Sequence, residues 1–90
     1  MDTRTGSTQS EKRRVLVVDD SAMVRQAMQA ILCRDPRLTV SIAADALIAL
    51  RKIRQERPDV VITDLEMPRM DGLTFIKTLM QEWANEATIE

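Results

Sequence analysis

Three short apolar runs, each followed by a longer stretch with helical spacing, organise the chain. Residues 15–18 and 60–62 form continuous runs rich in β-branched side chains, which is typical of parallel strands buried on both faces. Residues 38–42 alternate apolar and polar side chains with the period of a strand. The pattern therefore predicts three strands.

The stretch after the first strand has helical spacing and predicts a helix to about Arg34. Either Asp20 or Ser21 can cap it by accepting a backbone N–H of the first turn. Asp35-Pro36 ends it, because proline disfavours helical geometry in the residue before it. We expect one face of this helix to pack into the core. That face comprises Met23, Ala27, Met28, Ile31 and Leu32.

Two further helices follow the second and third strands. The second helix runs from Asp45 to just before Pro58, and a loop over residues 65–72 precedes the third. In this loop Asp71-Gly72 is a turn signal, because glycine accepts a positive φ and Asp71 can cap the next helix. The two apolar stripes comprise Ala46, Leu47, Leu50 and Ile53, and then Leu73, Phe75, Ile76, Leu79, Met80 and Trp83.

The order βαβαβα predicts the α/β fold class, with a parallel sheet and helices on both faces. A chain of 90 residues has room for one domain. Residues 1–14 are polar and end in a charged cluster, which is typical of a disordered tail that is solvated or available to an acidic surface. Folded structure is expected to begin at Val15, and residues 85–90 show no settled pattern.

Composition excludes several classes of function. With 13 basic and 14 acidic side chains the net charge is −1, so no summed field would draw the chain to nucleic acid or to a membrane. No apolar stretch is long enough to span a membrane, and a cytoplasmic location is the expectation. The absence of histidine excludes His-based triads and His-ligated zinc, so any histidine that donates a phosphoryl group must belong to a partner.

The sulfur-containing residues are expected to have simple packing roles. Cys33 cannot form an internal disulfide and is predicted to be a small buried hydrophobe rather than a reactive thiol. Met67 and Met70 fall in the loop before the third helix, where we expect packing, with contact to a partner as the alternative.

Acidic residues follow two of the predicted strands. Asp19 and Asp20 come after the first strand, and Asp64 comes after the third. Because parallel strands end at one edge of a sheet, the three carboxylates can converge there. At about 5 Å and an effective dielectric near 20, each pair would repel by ~3 kcal/mol, so a cation is expected among them. Oxygen ligands suit Mg²⁺ or Mn²⁺, although Asp19-Asp20 alone is also explained as a helix cap with a solvated neighbour.

Three segments resemble the receiver domains of two-component response regulators. They are VLVVDDS at residues 15–21, RPDVVITD at residues 57–64 and MPRMDG at residues 67–72. The resemblance implies a flavodoxin-like (CheY-like) doubly wound parallel sheet, truncated to βαβαβα with strand order 2-1-3. It also implies phosphorelay signal transduction.

The same resemblance implies roles for four residues of the chain. Asp64 would be the phosphoacceptor that becomes 4-aspartylphosphate. Mg²⁺, with Mn²⁺ as a substitute, would be held by Asp19, Asp20, Asp64 and the backbone carbonyl of Glu66. A histidine kinase would be the phosphodonor.

Two segments are similar in finer wording to the N-terminal receiver of chemotaxis protein-glutamate methylesterases (CheB-like). They are DDSAMVR at residues 19–25 and EMPRMDGLTF at residues 66–75. This similarity implies a CheA-like kinase as donor, a chemoreceptor or an effector domain as a further partner, and a protein-glutamate methylesterase/glutaminase as the parent. Receivers of this family continue with two more βα units that carry a Thr or Ser and a Lys for the phosphoryl group. Residues 15–90 are therefore expected to be a partial receiver domain without a hydrolase domain.

Other functions remain open at this point. The chain could be an interaction module that is not phosphorylated, the receiver of a DNA-binding transcriptional regulator, or a carboxylate-based phosphatase. The last would need a further acid that the sequence does not offer.

The third strand would also be an exposed apolar edge, so a poorly cooperative fold is predicted.

Overall fold

The structure of the chain is a computed structural model that describes residues 12–89, with side chains as far as residue 84. The described part alternates strands and helices. Its elements are β1 (Arg13–Val18), α1 (Ala22–Leu32), β2 (Leu38–Ala43), α2 (Ala46–Gln55), β3 (Val60–Thr63) and α3 (Gly72–Ile89). Most of the predicted tail, residues 1–11, lies outside the described residues. Within residues 12–89, no helix combines the length and the apolar character needed to cross a membrane.

The strands form one parallel sheet in the order β2-β1-β3. Val17 of the central strand pairs with Ile42 of β2 and with Ile62 of β3. The predicted α/β class and strand order 2-1-3 are therefore confirmed. Because all three strands run in the same direction, their carboxyl ends share one edge of the sheet, and that edge carries the candidate site.

The central strand β1 divides the core between the two faces of the sheet, because successive side chains point to opposite sides. Leu16 and Val18 belong to the apolar cluster built with α2 and α3, in which Phe75 is fully buried. Val15 and Val17 are buried as well but point the other way, to the face where α1 packs on β1 and β2. The uninterrupted apolar run of β1 thus serves both faces.

β1 begins two residues before the predicted start at Val15. Arg13 and Arg14 pair with Leu38 and Thr39 of β2, while their own side chains stay exposed. Backbone pairing extends a strand without help from apolar side chains, so hydropathy alone missed these two residues.

The ends of two helices also differ from the predicted ones. α1 ends at Leu32, and Cys33 is its C-cap, with a backbone N–H that donates to the Gln29 carbonyl at 2.9 Å. Cys33 is exposed, so its predicted burial is wrong, because a residue past the last turn no longer shares the packed face of the helix. α3 continues to Ile89 through residues without an apolar pattern, since propagation of a helix requires only its backbone hydrogen bonds.

Several predicted core residues are exposed instead. No residue of α1 is buried, and Met23 and Ile31 are 79% and 55% exposed. α1 packs mainly on β1 and β2, and part of its apolar face stays exposed. The predicted stripes of α2 and α3 contain further exposed residues, namely Leu47, Leu73 and Met80.

Candidate metal centre

Three carboxylates converge where β1 and β3 end. Asp19, Asp20 and Asp64 each place a carboxylate oxygen within 4.8 Å of the others. The ladder explains the convergence, because Val18 is paired with Thr63 and the Asp64 N–H donates to the Val18 carbonyl at 3.0 Å. The residues that follow two neighbouring parallel strands therefore lie side by side, as the sequence predicted.

Ser21, not Asp20, caps helix α1. The Ser21 Oγ accepts a hydrogen bond from the Val24 N–H at 3.2 Å, and Ser21 has the extended backbone of an N-cap residue. The Asp19 Oδ1 accepts from the Ser21 N–H at 2.9 Å, and Arg25 donates to the Asp19 carbonyl at 2.8 Å. Neither aspartate is therefore the N-cap, whereas the exposure of Asp20 agrees with the solvated neighbour of that alternative.

Asp64 is half-buried and is held by its neighbours on both sides in the chain. Its Oδ1 accepts from the Glu66 N–H at 3.3 Å, and its carbonyl accepts from the Thr63 hydroxyl at 3.0 Å. The Glu66 backbone thus lies beside the Asp64 carboxylate. The role of the Glu66 carbonyl as a metal ligand stays a prediction.

Gly72 allows α3 to begin directly against Asp64. A Cβ atom at this position would lie 2.1 Å from the Asp64 carbonyl oxygen and 2.7 Å from the Leu65 Cα. Gly72 does not have a positive φ, so the predicted reason for glycine here is wrong, and close approach of two backbones replaces it. Asp71 caps α3 as predicted, because its Oδ1 accepts from the Thr74 N–H at 2.8 Å, and this bond lowers the pKa of Asp71.

An ion pair between a buried aspartate and an exposed arginine could not be read from the sequence. Asp45 is the N-cap of α2 and pairs with Arg69 of the loop between β3 and α3. The Ile48 N–H, followed by the Arg69 guanidinium, lowers the pKa of Asp45 against the opposing effect of burial. Met67 of the same loop is buried in the core and Met70 packs against it, so packing accounts for both methionines.

The donor set fits a hard divalent cation. The cluster offers carboxylate oxygens only, and the chain contains no histidine. Among residues 12–84, no lysine or arginine forms an ion pair with any of the three carboxylates. Three neighbouring negative charges without a cationic partner favour cation binding, and oxygen ligands suit Mg²⁺ and Mn²⁺ better than zinc.

Comparison with known proteins identifies the family. The sequence pattern of the response regulator receiver domain matches residues 15–89. The chain belongs to the response regulator receiver domain family. This receiver is similar to solved receiver structures, including the response regulator domain of Thermotoga maritima CheB, with a TM-score of 0.73 and 40% identity over 77% of the chain and 52% of that structure. The Vibrio cholerae chemotaxis protein CheY4 gives a TM-score of 0.72 at 40% identity, covering 78% of the chain and 57% of that structure.

Curated relatives of this receiver are longer proteins that are named methylesterases and glutaminases. Protein-glutamate methylesterase/protein-glutamine glutaminase 3 of Geobacter metallireducens is 52% identical over 73 residues, which cover 80% of the chain and 21% of that protein. Protein-glutamate methylesterase/protein-glutamine glutaminase 1 of Xanthomonas campestris pv. campestris is 56% identical over 69 residues, which cover 76% of the chain and 19% of that protein. The chain thus spans about a fifth of the length of these relatives, and its similarity lies in their receiver region.

Proposed function

We propose that this receiver is the phosphoacceptor of a two-component phosphorelay, in which Asp64 accepts a phosphoryl group in a Mg²⁺-dependent reaction in the cytoplasm. The observation that carries the proposal is the convergence of Asp19, Asp20 and Asp64 at the carboxyl edge of the sheet. Membership of the receiver family supports the choice of Asp64, rather than one of its neighbours, as the phosphoacceptor.

The roles of the residues follow from their surroundings. A carboxylate oxygen of Asp64 would attack phosphorus, forming an O–P bond while the bond to the donor nitrogen breaks and its electron pair stays on that nitrogen. Asp64 is suited to this step because the Glu66 N–H orients its Oδ1, whereas the structure gives Oδ2 no hydrogen-bond partner among the described residues. Asp19, Asp20 and the Glu66 carbonyl would hold Mg²⁺. When bound, the ion would neutralise negative charge on the phosphoryl oxygens.

A phosphodonor histidine would lie outside these 90 residues, because the chain has no histidine. We propose a histidine kinase of the CheA type, since the relatives described above are protein-glutamate methylesterases and the similar solved structures include a chemotaxis protein. These relatives favour a methylesterase regulator over the receiver of a transcriptional regulator. Their esterase and glutaminase activities are proposed for a longer protein that carries such a receiver, with a chemoreceptor or an effector domain as its further partner.

Chemical phosphorylation of the full chain tests the proposal. We expect incubation with acetyl phosphate and Mg²⁺ to raise the intact mass by one phosphoryl group. Asp64→Asn should abolish the gain. Asp59→Asn is the matched control, because Asp59 precedes the same strand at its opposite end and an amide oxygen can still accept from the Arg14 N–H. A wild-type chain that is folded by circular dichroism and gains no mass would refute the proposal.

A further inference from the structure

Arg69 has an unusual backbone conformation for its residue type. Its φ is 72°, and no other residue within 12–89 has a positive φ. Side chains with a Cβ atom are disfavoured in this left-handed region, where glycine, asparagine or aspartate are the usual residues. Such a conformation persists only where the surroundings determine it, so the contacts of Arg69 indicate what it does.

The Arg69 guanidinium reaches Asp45 at the start of α2. Its Nη2 donates to the Asp45 Oδ2, while the Asp45 Oδ1 accepts from the Ile48 N–H at 2.9 Å. Asp45 is only 7% exposed, and it is the one buried charged residue of the described chain. Because its two oxygens serve two different elements, Asp45 ties the loop between β3 and α3 to the first turn of α2.

The loop between β3 and α3 includes Glu66, whose backbone contacts the candidate phosphoacceptor Asp64. The Glu66 N–H donates to Asp64, and Met67, the next residue, is anchored in the core. At the far end of the loop, the Gly72 N–H donates to the Leu65 carbonyl at 2.9 Å. Between Met67 and Gly72, Arg69 supplies the ionic contact that holds the loop to the rest of the fold.

We propose that the Asp45–Arg69 ion pair is a clamp that fixes the loop, and with it the Glu66 backbone, in the geometry needed for cation binding beside Asp64. Both are positioning residues, because neither belongs to the carboxylate cluster. The effect of the clamp on cation binding rests on the proposed function, whereas its effect on the structure of the loop does not.

The signs of the charges separate a clamp from a purely electrostatic effect. If the two residues acted only through their fields, loss of the Arg69 charge would tighten binding of a cation and loss of the Asp45 charge would weaken it. A clamp predicts that both losses weaken binding. A clamp also predicts that the double variant binds the cation no more weakly than either single variant, because both substitutions remove the same interaction.

These effects are measured by titrating the full chain with Mn²⁺ and monitoring the free ion by electron paramagnetic resonance. We compare the wild type with Arg69→Gln, Asp45→Asn, which retains an N-cap acceptor, and the double variant. Each of the three variants should raise the Mn²⁺ dissociation constant about fivefold. This change is expected if the fraction of molecules whose loop is competent to bind the ion falls from nearly one to about one fifth. Arg69→Lys should restore part of the affinity. Tighter binding by Arg69→Gln, or additive losses in the double variant, would overturn the clamp.

Arg54→Gln is the matched control for the clamp variants. Arg54 also joins α2 to a carboxylate on a different element, Glu82 of α3, at 2.7 Å, but it does not touch the loop. Its replacement should leave the Mn²⁺ dissociation constant unchanged. An effect as large as that of Arg69→Gln would show that general loosening of the fold, rather than the clamp, controls the site.

Amide hydrogen exchange without metal tests the clamp independently of the proposed function. The exchange rate of the Gly72 N–H should rise in Arg69→Gln and Asp45→Asn, whereas that of the Asp64 N–H, bonded to the Val18 carbonyl, should not. Arg69→Asn, which tolerates the left-handed region, is a second variant in case Arg69→Gln fails to fold. Unchanged Gly72 exchange in all variants would refute the clamp, whereas a wild type that binds no Mn²⁺ would refute the metal site alone.

Discussion

At the scale of single residues, Gly72 is the most constrained position near the site. We predict that Gly72→Ala lowers the free energy of unfolding by about 2 kcal/mol, because the new Cβ would overlap the backbone of Asp64 and Leu65. Helix propensity alone predicts the opposite sign, a gain of ~1 kcal/mol. Urea denaturation measures the change, with Lys77→Ala on the exposed side of the same helix as the control. A stabilised Gly72→Ala chain would contradict the close approach.

Asp45 should make stability depend on pH in the acidic range. Its folded-state pKa lies below the ordinary value of 3.8, chiefly because the Ile48 N–H bonds to the charged form. A lowered pKa gives stabilisation that is complete above the unfolded-state value and is lost as the pH falls through the folded-state value. The stability difference between the wild type and Asp45→Asn should therefore be constant above about pH 5 and shrink as the pH falls to about 3. Urea denaturation at several pH values measures it, and a difference that grows on acidification would be the contrary result.

The carboxylate cluster was predictable at this scale, and the ion pair was not. Asp19 directly follows an apolar run and Asp64 lies two residues beyond one, and parallel strands bring such ends together whatever the loops do. Arg69 and Asp45 are 24 positions apart, and their contact depends on a positive φ that nothing in the local sequence signals. Cys33 was predicted incorrectly because the exact end of a helix decides whether a side chain near it is covered.

At the scale of elements, the start of α1 links helix stability to the site. We predict that Ser21→Ala lowers the free energy of unfolding by about 1 kcal/mol, because the Val24 N–H loses its acceptor. Ser21→Asn should retain most of the stability, since asparagine is an equally good cap. Thermal denaturation of both variants distinguishes the capping role. Equal losses in both would mean that the hydroxyl matters for another reason.

Strands were predicted more accurately than helix faces, for a physical reason. A parallel strand buried on both faces is apolar at every position, so its sequence pattern is complete within four residues, as at residues 15–18 of β1. A helical stripe shows only which side could be buried, and it requires a partner element. α1 finds β1 and β2 but leaves Met23 exposed, which its own sequence could not reveal.

At the scale of the whole molecule, β3 lies at the edge of the sheet that the described residues form, with apolar side chains on both faces. Val60 is 47% exposed, and a cavity of about 270 Å³ opens between β3 and α3 beside Val61 and Trp83. This surface supports the prediction of a poorly cooperative fold. We expect a broad thermal transition in near-ultraviolet circular dichroism of the isolated chain. A sharp transition in a monomer, shown to be monomeric by light scattering, would be incompatible with this expectation.

The fold and the family were accessible from the sequence because they rest on repeated, local patterns. The alternation of apolar runs with helical stretches predicted the parallel sheet, and the segments at residues 15–21 and 57–64 carried the resemblance to receivers. The contacts that hold the loop between β3 and α3 could be seen only in the structure, because Met67 and Arg69 are held by elements distant in the sequence.

The position of the phosphoryl group on the chain decides whether Asp64 is the phosphoacceptor. After treatment of the full chain with acetyl phosphate and Mg²⁺, borohydride reduction converts an aspartyl phosphate to homoserine, which peptide mass spectrometry can locate. We predict homoserine at position 64, and none when Mg²⁺ is removed by a chelator. Homoserine at position 19 or 20, or labelling at position 64 that is indifferent to Mg²⁺, would contradict the proposed function.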